Sequence, residues 1–150
     1  MNLLLDTHVF LWFVNDDPKL SNHIKDLIEN TNNVSYLSMA SLWEMSIKFN
    51  LGKLTLEPNY EKFVEREVIT SSIKLLNIEL EHFKINASLP FHHRDPFDRL
   101  IIAQALAENL PIVSVDSAFD KYSVTMRRFC CLLSTELRGW KVRESISPSL

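Results

Sequence analysis

Three consecutive leucines run straight into an aspartate near the start of this chain, in Leu3-Leu4-Leu5-Asp6-Thr7-His8, and a second apolar run, Ile112-Val113-Ser114-Val115, ends the same way at Asp116. Short apolar runs of this kind read as buried strands, here residues 1–5 and 112–115. A carboxylate at the end of a buried strand is costly to desolvate without compensation. Where several carboxylates converge, a divalent cation is the usual compensation. Two further acids, Glu44 and Asp98, lie near the start of helical patterns.

Between these strands, helical and extended patterns alternate. Residues 8–14 are apolar and aromatic and read as a helix or turn over the site. Ser21 is placed as an N-cap, followed by Ile24, Leu27 and Ile28 at helical spacing. Residues 30–33, with three asparagines, break that helix, and 34–37 form a short strand. Ser38 or Ser41 opens the next helix, with Leu42, Met45 and Phe49 on its apolar stripe and Gly52 as its stop. A helix is expected from about residue 60 to 70, a strand over 73–78 and a helix over 79–88.

The clearest segment follows. Asp95 is placed as an N-cap, Pro96 at the first helical position and Asp98 in the first turn. Leu100, Ile101, Ile102, Ala103, Ala105, Leu106 and Ala107 make this helix apolar on most sides, which predicts a central, buried element. Strands alternating with helices argue for an α/β fold with a parallel sheet. In such sheets ligands bind beyond the carboxyl ends of the strands. Asp6, Glu44, Asp98 and Asp116 are thus candidates for one crevice, and their hard oxygens suit Mg²⁺ or Mn²⁺.

Each acid also has a plainer reading. Asp98 and Asp116 fit helix caps, and Glu44 fits a solvated helix charge. Asp6 has no equally strong local capping reason. His92-His93-Arg94-Asp95 lacks the helical spacing of a zinc site, so no metal role is read there. Thr7 and His8, beside Asp6, are candidate substrate or carboxylate contacts. Lys48, Arg94, Arg99 and the tail pair Arg127-Arg128 are candidate phosphate contacts.

Composition removes several alternatives. Only two glycines occur in 150 residues, so neither a P-loop nor a dinucleotide fingerprint is present. There is no Gly-x-Ser-x-Gly elbow. Cys130 and Cys131 are adjacent, which is neither disulfide nor zinc geometry. The net charge of −3 divides into −7 over residues 1–120 and +4 over 121–150. Neutralising the four site acids would bring the chain to +1, so a polyanionic substrate is not excluded, although the balance argues against tight, nonspecific nucleic-acid binding through a broad basic face. No apolar run approaches the roughly 20 residues of a membrane span. With no signal-peptide pattern at its start, the chain is expected to be cytoplasmic.

Taken together, Leu3-Leu4-Leu5-Asp6-Thr7-His8, Ser41-Leu42-Trp43-Glu44-Met45-Ser46-Ile47-Lys48 with Leu51-Gly52-Lys53-Leu54, Asp95-Pro96-Phe97-Asp98-Arg99-Leu100-Ile101-Ile102-Ala103-Gln104-Ala105 and Pro111-Ile112-Val113-Ser114-Val115-Asp116 resemble the PIN domain. Within it they look like the VapC-like toxins of type II toxin–antitoxin systems. The resemblance spans about residues 2–122. It implies a PIN-like three-layer fold, a central parallel sheet flanked by helices, with Asp6, Glu44, Asp98 and Asp116 as the acidic cluster. It further implies a Mg²⁺- or Mn²⁺-dependent endoribonuclease, commonly a homodimer, with a cognate antitoxin as partner. The nuclease domain is expected over residues 1–135. Residues 136–150 form an extension that departs from the family pattern. Two other readings remain open: a degenerate PIN-like module that binds RNA or protein without cutting, and a small-molecule phosphohydrolase with Asp6 as nucleophile. The second lacks the usual second acid, because position 8 is His.

Overall fold

The computed structural model describes residues 1–122. The expectations for Arg127, Arg128, Cys130, Cys131 and the 136–150 extension lie outside that range. Four strands, β1 (Asn2–Leu5), β2 (Val34–Ser38), β3 (Lys74–Leu76) and β4 (Ile112–Val113), form one sheet in the order β3-β2-β1-β4. Every pairing is parallel. Six α-helices flank it among the described residues: α1 (Thr7–Val14), α2 (Asn22–Glu29), α3 (Met39–Asn50), α4 (Tyr60–Val64), α5 (Leu80–Ser88) and α6 (Pro96–Glu108). The α/β, three-layer expectation matches this architecture.

The leucine run explains the layering. Successive strand side chains point to opposite faces. Leu3 and Leu5 accordingly join one core with Val9, Phe10, Ile24, Met45 and Phe63. Leu4 joins the other with Ile101, Ile102, Ala105, Ile112 and Phe119. All three leucines are fully buried, so β1 has helices on both faces and is central.

Sheet order then sets where a site can form. The chain runs β1 to β2 to β3 in one direction, then crosses back to place β4 on the far side of β1. The strand order therefore reverses between β1 and β4, and their carboxyl ends open a crevice there. The register pairs Leu5 with Val113, so the residues that leave the two strands, Asp6 and Ser114, are neighbours.

Residues 8–14 are helical within α1, and Asp6 is the N-cap of that helix, accepting from the His8 backbone N–H at 3.3 Å. So Asp6 does have a local capping role. Ser38, rather than Ser41, caps α3. Glu44 consequently sits in the second turn, not at the helix start. Gly52, with φ +68°, follows α3 as a left-handed stop. The helix expected over 60–70 is split: α4 gives way to a π-helical turn at Glu65–Ile69. β3 and β4 are shorter than expected, with Ser114 and Val115 beyond the ladder.

Arg99, a candidate phosphate contact by sequence, is instead a buried structural residue. It is 9% exposed. Its guanidinium donates to the carbonyls of Asn86, Leu89 and Pro90 at 2.9–3.2 Å, and Phe91 covers it. Carbonyls at the end of a helix have no intrahelical partner. Arg99 supplies those partners at the end of α5 and ties that end to α6, so its guanidinium is not directed at a phosphate. Arg99→Ala is expected to lower stability by about 2–4 kcal/mol, since several charge-assisted bonds vanish and partly buried carbonyls are left bare. Arg99→Lys should recover less than half of the loss, because an ammonium cannot span three carbonyls. Urea unfolding of the two variants checks this. A change under about 0.5 kcal/mol for Arg99→Ala would place the residue among ordinary surface substitutions.

Candidate metal centre

Asp6 is buried at the carboxyl end of β1. Its Oδ2 accepts from the Ser114 hydroxyl at 2.7 Å, and the Asp116 backbone N–H donates to the same Ser114 oxygen at 3.1 Å. One hydroxyl thus fixes the Asp6 carboxylate relative to the Asp116 main chain. Asp116 Oδ1 caps the 3-10 turn Ser117–Lys121 by accepting from the Ala118 N–H at 2.8 Å. Its capping role and its position in the crevice are compatible, because the two oxygens face different partners.

Glu44 is also buried, and both of its oxygens are engaged. Oε1 accepts from the Lys48 ammonium at 2.6 Å, one helical turn on. Oε2 lies 2.8 Å from Thr7 Oγ1, which is 2.9 Å from Ser41 Oγ. An ionised carboxylate only accepts, so the single Thr7 proton goes to Glu44 and Ser41 donates to Thr7. A solvated surface charge is excluded for Glu44. Partial burial alone would lower the Lys48 pKa, but the Glu44 carboxylate, aided by Asp95 and Asp98, raises it above the usual lysine range.

Asp98 lies in the first turn of α6, behind the Asp95 cap, whose Oδ1 accepts from the Phe97 and Asp98 N–H groups. Burial first, and then the negative charges of Asp6, Asp95 and Glu44, push the Asp98 carboxyl up to about 8, with His8 opposing. The Asp6 and Glu44 carboxylates are thus near enough to Asp98 to act on it electrostatically. His8, half exposed at the rim, has its pKa raised by the Asp6 carboxylate 3.8 Å away, against partial burial.

His93, whose sequence spacing is not that of a zinc site, belongs to this crevice. Its Nε2 is 3.2 Å from Asp98 Oδ2 and 3.2 Å from Asp116 Oδ2. One atom from each of these three residues falls within a 4.8 Å radius of the others. Ser114 and Ser41 were passed over. Helical spacing does not reveal His93, because it lies in the loop before α6. The only signal for Ser114 was its place at the strand end, two residues before Asp116. Of the remaining candidates, Thr7 and Lys48 touch Glu44, His8 touches Asp6, Arg94 is exposed before α6, and Arg99 is turned away.

Asp6 is tied through Ser114 to Asp116, the negative charges of Asp6 and Glu44 act on Asp98, and among the described residues the atoms close enough together to share one ion come from His93, Asp98 and Asp116. The family model of the PIN domain matches residues 3–124. The chain belongs to the PIN domain family. Solved structures agree on the fold. VapBC2 from Rickettsia felis bound to a promoter DNA fragment aligns with TM-score 0.63 at 18% identity, covering 82% of this chain and 94% of that one. DNA-bound VapBC from Salmonella typhimurium gives 0.62 at 18% identity, covering 82% and 93%. FitAcB from Neisseria gonorrhoeae gives 0.56 at 18%, covering 79% and 93%. No curated protein matches the chain in sequence. At such low identity the shared feature is the PIN fold. No helix among the described residues is long and apolar enough to cross a membrane.

Proposed function

We propose that this PIN domain is a divalent-metal-dependent endoribonuclease and the toxin of a toxin–antitoxin pair. The observation that carries the reading is the burial of Asp6 and Glu44 near Asp98, whose carboxyl is pushed up first by its own burial and then by the charges of its acidic neighbours. Such mutual repulsion in a protein interior calls for a counter-ion. The donor set of hard oxygens, from Asp6, Asp98 and Asp116, fits Mg²⁺ or Mn²⁺. When bound there, such an ion increases the acidity of a water and stabilises charge on a phosphodiester.

The chain's own residues have separate tasks in this reading. Asp6, Asp98 and Asp116 hold the ion. Glu44, locked by Thr7 and Lys48, completes the cluster and positions the attacking water through its remaining lone pairs. His8, Lys48 and Arg94 at the rim orient phosphates, which sets register and carries no base specificity. No serine or cysteine nucleophile is required. The antitoxin partner is supported by the likeness to a toxin–antitoxin complex from Klebsiella pneumoniae and to the DNA-bound VapBC structures. A homodimer is the assembly that the family resemblance leads us to expect.

The test is direct. Purified protein incubated with RNA and either Mg²⁺ or Mn²⁺ should cleave it, and chelation should stop cleavage. Cleavage that survives in the Asp6→Asn, Asp98→Asn double variant would defeat the assignment and expose a contaminating nuclease.

A further inference from the structure

His93 presents a choice that its distances alone do not resolve. An imidazole nitrogen 3.2 Å from two carboxylate oxygens is placed either to join them around an ion or to donate a proton to them. The other ring nitrogen decides. His93 Nδ1 accepts from the Asp95 backbone N–H at 3.0 Å. An acceptor Nδ1 carries no proton, so in the neutral ring the proton is on Nε2. Metal-bound histidines show the reverse arrangement: the free nitrogen bears the proton and donates it outward.

We infer that His93 is a positioning residue whose Nε2–H, fixed by the Asp95 main chain, clamps Asp98 and Asp116 together, and that it does not ligate the ion. This rests on the metal-site reading above. The clamp is well anchored. The His93 N–H donates to the Tyr122 hydroxyl at 2.8 Å, and the ring meets Phe119 edge-on at 5.9 Å. The loop before α6 is thereby fastened to the turn after β4. The Nε2–H hydrogen-bonds Asp116 Oδ2 at 3.2 Å, and Asp98 Oδ2 lies at the same distance from that nitrogen as an electrostatic contact. This arrangement brings the two acids from separate elements into one frame and leaves each oxygen lone pairs for a cation. The Asp95 main chain caps the ring while its side chain caps α6, so one residue sets both the helix that bears Asp98 and the tautomer that holds it.

The test uses nitrogen NMR of ¹⁵N-histidine-labelled full-length protein, metal-free and then saturated with Mg²⁺. His93 should be protonated at Nε2 and bare at Nδ1 in both states. Titration with Mn²⁺ should show about 10–100-fold weaker binding for His93→Ala, the range for losing a group that orients a ligand. His93→Gln, whose amide also donates, should recover part of it. Electron spin-echo spectra of the Mn²⁺-loaded protein should show no histidine nitrogen coupling that depends on His93. A nitrogen coupling lost in His93→Ala, a Nδ1-protonated ring in the Mg²⁺ state, or Mn²⁺ affinity within twofold of wild type in His93→Ala would each overturn the inference while sparing the metal site. Failure of the wild-type protein to bind either ion would instead overturn the metal-site reading itself. The NMR result stands on the wild-type protein, so a misfolded variant does not blunt it.

Discussion

Asp98→Asn is expected to make the metal-free protein more stable while removing its nuclease activity. The Asp98 carboxyl is pushed up to about 8, by burial and by its acidic neighbours. A carboxyl whose folded pKa lies above its unfolded value favours the folded state when protonated. Stability contributed by that proton is present at low pH and is lost as pH climbs from about 4 to about 8. At pH 8 asparagine removes the repelled charge without changing the side chain's shape. A gain of about 2–4 kcal/mol follows from a shift of this size, discounted for incomplete burial. For a chain of this length the melting temperature should rise by roughly 5–10 °C. Cleavage should fall by about 10³-fold, because an ion ligand contributes several kcal/mol of transition-state stabilisation. Calorimetry in chelator and an RNA cleavage assay read the two effects separately. A lower melting temperature for the metal-free variant would mean that Asp98 is held by favourable contacts and not by a bound counter-charge.

The affinity for Mg²⁺ or Mn²⁺ should climb steeply with pH. A cation and a proton compete for the Asp98 carboxylate, so binding must displace the proton wherever Asp98 is protonated. Below the value of about 8, each pH unit should change the apparent dissociation constant about tenfold, until the other acids begin to titrate. At pH 6.5 close to one proton should leave per ion bound. Titration calorimetry in two buffers of different ionisation enthalpy measures that count directly. An affinity that is flat from pH 6 to 8, with no proton release, would remove the electrostatic basis of the site. The same slope should flatten in Asp98→Asn, whatever the residual affinity.

Much of this was legible in the order of residues. Leu3-Leu4-Leu5 is apolar at every position, which only a strand covered on both faces tolerates, and it became the central strand. Asp95-Pro96 marked the start of α6 to the residue, because capping chemistry is local. Charge roles were less legible. Arg99 follows Asp98 directly in a basic-looking rim, yet it points to the carbonyl end of α5. That destination depends on how α5 meets α6, which no local pattern encodes. His93 and Ser114 were passed over for the same reason. Each acquires its role only when two elements distant in sequence are brought side by side. Glu44 shows the limit of helix phasing: a one-turn change in where α3 begins moves it from the helix start to the second turn, although it still faces Thr7 and Lys48.

The adjacency of Asp98 and Arg99 on α6 has a consequence for genetics. If the chain acts as the proposed toxin, a selection that recovers cells escaping its harm would collect changes at both codons with similar frequency, and sequencing alone would score the pair as equally catalytic. Protein abundance separates them. Asp98 escape alleles should accumulate as intact, over-stable protein, whereas Arg99 alleles should be depleted by cellular proteases.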